Sequence, residues 1–354
     1  MRILILLFGV SILQTDFATP LRLQYIDLSD DGLFLAGIGT NGIAIINTET
    51  EKVVAKYPFE GYDHLLNIRI SGNGKHLVWT RKWELFTADF LDNEIINVAK
   101  IPNARAWVDL EINYDGSRIL ATVDYPRNKE HNCDPNQRLI LEIKKTTDST
   151  DYQIIGTTSQ PCFWLNNAEL LSDGGVILQQ QEALTGQELQ IIEGIPDGEN
   201  WHYRTIESNA KNLVGQAMTE NNELLTTDYC TFFINKKNKN GVWEKEVILP
   251  PNDVCVASWY AAISPDGKNV VWLRNYMQTD GNIQYSEFWI TRKVAEKWTT
   301  AEVFISTDEP RFIHNLSHFR LSNTNFAFAE KGGNLLLMPT LDGKSELIKV
   351  EEER

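Results

Sequence analysis

Short apolar stretches of strand length recur along this chain, and a polar turn rich in Asp, Asn and Gly follows one of them at a regular spacing. The full form appears as Ser29-Asp30-Asp31-Gly32, Ser71-Gly72-Asn73-Gly74, Asn113-Tyr114-Asp115-Gly116 and Ser264-Pro265-Asp266-Gly267. A shortened form is Ser172-Asp173-Gly174, and degenerate forms are Thr219-Glu220-Asn221-Asn222 and Ser322-Asn323-Thr324-Asn325. Asp-Gly and Asn-Gly supply the positive φ angles of tight turns. A second apolar strand follows each turn, as in His76-Leu77-Val78-Trp79, Asn269-Val270-Val271-Trp272 and Phe326-Ala327-Phe328-Ala329. No long stretch has helical period.

The repeats start roughly 40 to 60 residues apart, the size of one four-stranded propeller blade. The expected fold class is therefore all-β, a seven-bladed β-propeller of four-stranded antiparallel blades. Blade 1 can be filled from Leu21 to Tyr57 and blade 7 from His314 to Val350. In blade 6 the third strand is expected at Glu287–Thr291 and the fourth from Trp298 to Ile305.

The segment Ser264-Pro265-Asp266-Gly267-Lys268-Asn269-Val270-Val271-Trp272, followed by Glu287-Phe288-Trp289-Ile290, resembles the repeat of TolB-type propellers and of the propeller domains attached to prolyl-oligopeptidase-like enzymes. The resemblance runs over essentially all of residues 21–350, as a repeat pattern. It implies an architecture and, through TolB, a scaffolding role. Propellers host many unrelated activities, so it implies no particular chemistry. The chain departs from those relatives in showing neither an extra N-terminal α/β domain nor a hydrolase domain.

Residues 1–18 are not needed to fill seven blades. Arg2 followed by the apolar run Ile3–Leu13 reads as a signal peptide, too short to span a bilayer. Ala18 is the candidate last residue before cleavage, although Asp16 stands where a small residue is wanted; the alternative is a buried first strand. Export to the periplasm or outside the cell is the expectation, leaving residues 19–354 as a single propeller domain. The four cysteines agree. By blade position, Cys133 pairs with Cys162 and Cys230 with Cys255, each pair joining one blade to the start of the next; free buried thiols are the alternative.

Composition narrows the partners. Formal net charge is −15, which disfavours nucleic acid and anionic membrane surfaces. Protein or peptide partners are expected, with no stable membrane insertion, and a monomer suffices. Gly37, Gly39 and Gly42 form a G-x-G-x-x-G string, but Ile43-Ala44-Ile45-Ile46 after it is a strand, so it reads as a hairpin and not a dinucleotide site. His314 and His318 would lie about 13 Å apart on a strand, too far to share an ion. No His-Glu-x-x-His run or nucleophile elbow occurs. No cofactor, metal or catalytic residue is therefore assigned. Asn315-Leu316-Ser317 is an N-glycosylation sequon, meaningful in a eukaryotic secretory pathway.

Alternation along the innermost strands identifies what faces the central channel. Counting back from each turn's first residue, first and third positions are mostly apolar. With the shortened fourth turn counted from one residue earlier, the second positions are Asp27, Arg69, Glu111, Glu169, Ala217, Ala262 and Arg320; the fourth include Asp109, Asn167, Tyr260 and His318. Candidate ligand-binding residues are Asp109, Asn167, Tyr260, His318, Arg69, Glu111, Glu169 and Arg320. The same residues could instead pair with one another around a water-filled funnel. The longest expected loops, 124–137, 179–187 and 274–286, fall on one face, where binding tends to concentrate. A non-enzymatic binding propeller is the leading expectation. A propeller lyase or hydrolase working at the channel mouth, and a structural module of a cell-envelope assembly, are the alternatives.

Overall fold

A computed structural model describes residues 23–39, 42–59, 65–82, 84–90, 94–100, 106–126, 136–145, 152–158, 163–182, 190–197, 200–207, 217–219, 221–228, 231–249, 261–277, 283–307, 319–329, 335–338, 341 and 348–349. The N-terminal segment 1–22, all four cysteines, the sequon, Tyr260, His314 and His318 lie outside them.

The described strands pair into seven antiparallel sheets, each following chain order. The first holds β1 (Leu23–Leu28), β2 (Phe34–Gly39), β3 (Gly42–Asn47) and β4 (Lys52–Pro58); the second β5 (Leu65–Ile70), β6 (His76–Arg81), β7 (Glu84–Asp89) and β8 (Glu94–Lys100). The third holds β9 (Ala106–Ile112), β10 (Arg118–Pro126), β11 (Asn136–Lys145) and β12 (Tyr152–Thr158); the fourth β13 (Phe163–Leu170), β14 (Val176–Glu182), β15 (Gln190–Asp197) and β16 (Asn200–Glu207). The fifth holds β17 (Ala217–Met218), β18 (Leu224–Asp228), β19 (Thr231–Lys237) and β20 (Trp243–Leu249). In the sixth are β21 (Ala261–Ile263), β22 (Asn269–Met277), β23 (Ile283–Val294), β24 (Lys297–Trp298) and β25 (Glu302–Thr307); in the seventh, β26 (Phe319–Leu321), β27 (Phe326–Ala329), β28 (Leu335–Met338) and β29 (Ile348–Lys349). First strands of neighbouring sheets lie side by side: β1 with β5, β5 with β9, β9 with β13, β17 with β21, β21 with β26, and β1 with β26.

The repeated turn works through its side chains. In the first sheet Gly32 N–H donates to the Ser29 carbonyl at 2.9 Å, Phe34 N–H to Ser29 Oγ at 3.0 Å, and Leu33 N–H to Asp31 Oδ1 at 2.9 Å. The same pattern recurs at Ser71, Asn73 and His76, and at Ser264, Asp266 and Asn269. In the degenerate fifth turn Asn222 takes the left-handed conformation (φ 59°) that glycine takes elsewhere, and Thr219 Oγ1 accepts from Glu223 N–H at 3.0 Å. Asn is the side chain that tolerates this region best. A shorter turn serves the seventh sheet, with Asn325 N–H donating to Ser322 Oγ at 2.8 Å.

Several expectations change in detail, and the ends of the expected loops 124–137 and 179–187 are strand, β10 running to Pro126, β11 starting at Asn136 and β14 running to Glu182. Much of the expected loop 274–286 is strand: Arg274 pairs with Glu287, Asn275 with Ser286 and Tyr276 with Tyr285, so β22 and β23 form a long ribbon. The fourth strand of the sixth sheet is divided, because Ala295 and Glu296, both at positive φ, fold β24 back on the end of β23 before β25 pairs further along it. Gly39 and Gly42 face each other across the β2–β3 hairpin, as the hairpin reading of the glycine string requires.

The core lies between sheets. Trp79 packs with Tyr57 and Ile45 across the first and second, and Phe288 with Phe319, Phe326 and Phe328 across the sixth and seventh. One buried charge spans the fourth and fifth. Glu193, 1% exposed, receives Lys237 Nζ at 2.6 Å, Arg204 Nε at 2.5 Å and Trp243 Nε1 at 2.8 Å. Burial alone would raise its pKa, but the hydrogen bonds from Lys237, Trp243 and Arg204 outweigh it and the carboxyl is held below its ordinary value. A lowered pKa adds stability above the unfolded value, and that stability is lost as pH falls through the folded one. Glu193→Gln should therefore cost about 2–4 kcal/mol at neutral pH. Urea unfolding should show the gap between the two proteins narrowing below about pH 4.

Candidate functional site

The innermost strands bring five of the eight sequence-derived channel residues into one charged cluster. Asp27 belongs with them. Its Oδ1 accepts from Arg320 Nε at 2.6 Å and its Oδ2 from the Ile70 N–H at 2.8 Å. It thereby joins the seventh, first and second sheets. Arg69 extends the chain of contacts, reaching Asp109 Oδ1 at 3.3 Å and Glu111 Oε2 at 3.5 Å in the third sheet. Asp109 continues to the fourth, accepting from Ala168 N–H at 3.3 Å. Glu169 interacts electrostatically with all of Glu111, Asp109, Arg69 and Arg320. Both arginines fold back in the same way, Arg69 donating to the Ile68 carbonyl and Arg320 to that of Phe319.

The cluster draws on the first strands of the seventh, first, second, third and fourth sheets. Sheets five and six place Ala217 and Ala262 at the matching positions. Asn167 lies in β13; Tyr260 and His318, expected beside it, fall outside the described residues, as noted above.

A feature that alternation does not reveal is a β-bulge in the innermost strand of the first four sheets. Register slips between Leu23 and Tyr25, Leu65 and Ile68, Trp107 and Asp109, and Asn166 and Glu169. The second-position residues lie on the turn side of each bulge, where strict alternation holds. Asn167 falls within one, so period-two counting does not fix its direction. No glycine or proline marks these positions, so composition gave no signal.

Six ionisable groups packed together where the first strands of neighbouring sheets meet perturb one another. The side chains of Arg69, Asp109 and Glu111 keep 18%, 20% and 26% of their surface accessible, enough for wetting but far short of bulk hydration. Burial pushes the Glu111 carboxyl up to about 8; Asp27 and Asp109 add to the rise, and Arg69 and Arg320 oppose it. Glu169 is raised well above its ordinary value, first by burial and then by Glu111 and Asp109. Asp109 is raised by burial, against the pull of Arg69. Two arginines thus face four carboxyls, and the excess of negative charge adds to burial in raising the pKa values of Glu111 and Glu169. Among the described residues no group of His, Cys, Asp and Glu has the arrangement of a metal site.

The rim at the far end of β6 and β22 from the repeated turns carries a different chemistry. In β22, the Arg274 guanidinium lies over the rings of Tyr276 at 4.8 Å and Trp289 at 5.4 Å. Tyr276 stacks on Tyr285 with centroids 4.2 Å apart. Glu287 Oε2 accepts from Tyr276 Oη at 2.7 Å and Trp289 Nε1 at 2.9 Å. Burial and this hydrogen bond push the Tyr276 phenol up to about 12. The sequence predicts a loop here and not the ladder, although Arg274 and Tyr276 on one side, and Tyr285, Glu287 and Trp289 on the other, each keep the even spacing of one sheet face.

No family model matches the chain, and no curated protein does. Solved structures match by shape. A puromycin-hydrolyzing peptidase of Mycobacterium tuberculosis aligns with a TM-score of 0.58 at 11% identity, over 95% of this chain and 54% of that one. A functionally unknown protein from Desulfotomaculum acetoxidans aligns with a TM-score of 0.57 at 11% identity, over 88% and 92%. The WD40 domain of SCAP from fission yeast aligns with a TM-score of 0.52 at 9% identity, over 96% and 89%. The chain has a β-propeller fold. Its neighbours include peptidase and WD40 proteins alike, so the fold alone does not select a function.

The channel yields a stability test. A carboxyl whose folded pKa is raised contributes most when protonated in both states, and its contribution falls as pH rises from the unfolded value of about 4.5 to the folded one. Glu111→Gln removes that loss. The variant should match the wild type near pH 4 and exceed it at pH 9 by an amount on the order of 1–3 kcal/mol in urea unfolding.

Proposed function

We propose that this chain is an exported, closed seven-bladed propeller of the TolB-type repeat. In this reading it is a non-enzymatic monomer that binds a protein or peptide through the rim formed by the ends of the second and third strands. Residues 1–18 are removed on export, and the cysteine pairs Cys133–Cys162 and Cys230–Cys255 staple neighbouring blades. Closure is supported by contacts that run from turn to turn. Asn323 N–H donates to the Asp30 carbonyl, Asp30 N–H to that of Gly72 and Asn73 N–H to that of Tyr114. Arg118 donates to the Gly174 carbonyl, Ser172 N–H to Asn222 Oδ1, and Asp266 N–H to Asn323 Oδ1.

The observation that carries the binding reading is the ladder of Arg274, Tyr276, Tyr285 and Trp289. Arg, Tyr and Trp dominate the energetics of protein interfaces, because they offer large, rigid contact area with a polar handle. Here all four are partly exposed on a ribbon that extends beyond the shorter β18 and β19 of the preceding sheet. The charged channel supports binding less directly, since Asp27, Arg69, Asp109, Glu111 and Arg320 are engaged with each other. It remains the place for a small polar ligand, with Asn167, Tyr260 and His318 at its mouth, and for the alternative of a lyase or hydrolase.

The test is affinity capture from the native compartment with the wild type, with Tyr276→Ala/Tyr285→Ala, and with Val54→Ala on an outer strand. The reading expects an envelope or extracellular partner that is lost with the first variant and kept with the second. A partner retained by both, or cytosolic proteins only, contradicts it.

A further inference from the structure

Blades two and six carry the same construction at this rim. His76-Leu77-Val78-Trp79-Thr80-Arg81 in β6 and Asn269-Val270-Val271-Trp272-Leu273-Arg274 in β22 begin two residues after the glycine of their turns. In register, Trp79 faces Phe86 and Arg81 faces Glu84; Trp272 faces Trp289 and Arg274 faces Glu287. Each tryptophan also packs on a ring from the preceding blade, Tyr57 at 5.7 Å and Phe232 at 5.0 Å. Each arginine ends over aromatic faces, Arg81 over Phe59 at 5.0 Å and Arg274 over Tyr276 and Trp289.

What these two arginines share, and no other arginine with a described side chain does, is that neither is ion-paired to an acid among the described residues. Arg69, Arg118, Arg204, Arg292 and Arg320 are each ion-paired to a carboxylate. Arg81 and Arg274 make neither an ion pair nor a hydrogen bond among the described residues, and Arg274 Nε is buried with no acceptor. Acids outnumber bases 48 to 33 in this chain, so finding no partner twice, at equivalent positions, is not what random placement gives. Glu287, the cross-strand neighbour of Arg274, is engaged instead by Tyr276 and Trp289 through one oxygen. Contact with the rings holds each guanidinium in place, and with no described acceptor its terminal nitrogens are left to a ligand such as a planar oxyanion.

We propose that Arg81 and Arg274 are two carboxylate seats on the binding rim, and that the partner is a peptide segment presenting acidic groups to them. The inference rests on the protein-binding reading above and names its chemistry. A carboxylate fits better than a phosphate. Each seat holds one guanidinium beside one glutamate position, so a single negative charge is accommodated, whereas a dianion meets repulsion. The net charge of −15 opposes approach of an acidic segment at low ionic strength. At physiological salt, screening confines that opposition to about 8 Å, while a desolvated guanidinium–carboxylate contact persists.

The experiment uses the full chain, labelled, at 0.15 M salt over an array of random decapeptides. Every peptide is present with a free C-terminal carboxylate and as the amide. Wild type, Arg81→Met/Arg274→Met, Arg81→Lys/Arg274→Lys and Tyr276→Ala/Tyr285→Ala are compared, with melting temperature confirming that each is folded. The expected result is enrichment of Asp and Glu among retained peptides, and roughly tenfold weaker retention of them by the Met variant. The Lys variant, which keeps charge but not the planar fork, should fall between. Dependence on the free terminus rather than on Asp and Glu would identify the chain end as the source of the carboxylate. Retained peptides without acidic preference, or Met or Lys variants that bind acidic peptides as the wild type does, would overturn the seats while leaving the binding rim standing. No retention above the Tyr276→Ala/Tyr285→Ala background would overturn both.

Discussion

Each sheet reverses its innermost strand through a few residues, and the hydrogen bonding of those residues sets the geometry of much that surrounds them. The first Ser or Thr closes the turn from its carbonyl and its hydroxyl together, at Ser29, Ser71, Ser264 and Thr219. The Asp or Asn two positions on holds the next backbone donors, and a residue at positive φ completes the reversal. Because the turn is satisfied internally, its outer backbone groups are left to meet the turn of the next sheet, as Asp30 meets Gly72 and Asn73 meets Tyr114. Space is as tight as the hydrogen bonding. A Cβ on Gly116 would come within 2.3 Å of the His76 ring, and one on Gly74 within 2.6 Å of Phe34.

With the turns fixed, the innermost strands converge and their second-position side chains have nowhere to go but toward one another. This explains why the channel charges are paired and perturbed together. Asp27, Arg69, Asp109 and Arg320 bridge successive sheets and offset part of the cost of burying charge, while burial, and then the neighbouring carboxyls, raise the pKa values of Glu111 and Glu169. On the Ala217 and Ala262 side the apolar alternative was taken. A charge cluster of this kind is thus compatible with a structural role, and the same residues tie four sheet interfaces together.

The two ends of the sheets are therefore unlike. Near the repeated turns the charges are mutually engaged. At the opposite rim, Arg81 and Arg274 lie over aromatic rings beside tryptophans that belong to the core, without an ion pair among the described residues. Rigidity matters for binding, because an arginine already ordered by stacking loses less conformational entropy when it meets a partner.

The sequence by itself determined the all-β class, the repeat, the turn positions and the inward face of the innermost strands. All of these depend on local rules: positive φ at Gly or Asn, hydroxyl and carboxylate closure of turns, and period-two alternation. Even the degenerate turns at Asn222 and Ser322 were legible, because their chemistry survives the loss of glycine. The bulges before Asp109 and Glu169 were not legible, since no residue type marks them and they arise where converging strands must twist. Nor was the ribbon of β22 and β23, whose polar and aromatic residues read as a loop until Tyr276 and Tyr285 found each other across it. Which charges pair, and which arginines are left without an acid, only the tertiary structure decided. Those facts depend on residues some 40 to 290 positions apart being brought within hydrogen-bond reach, as Arg69 is to Asp109 and Arg320 to Asp27.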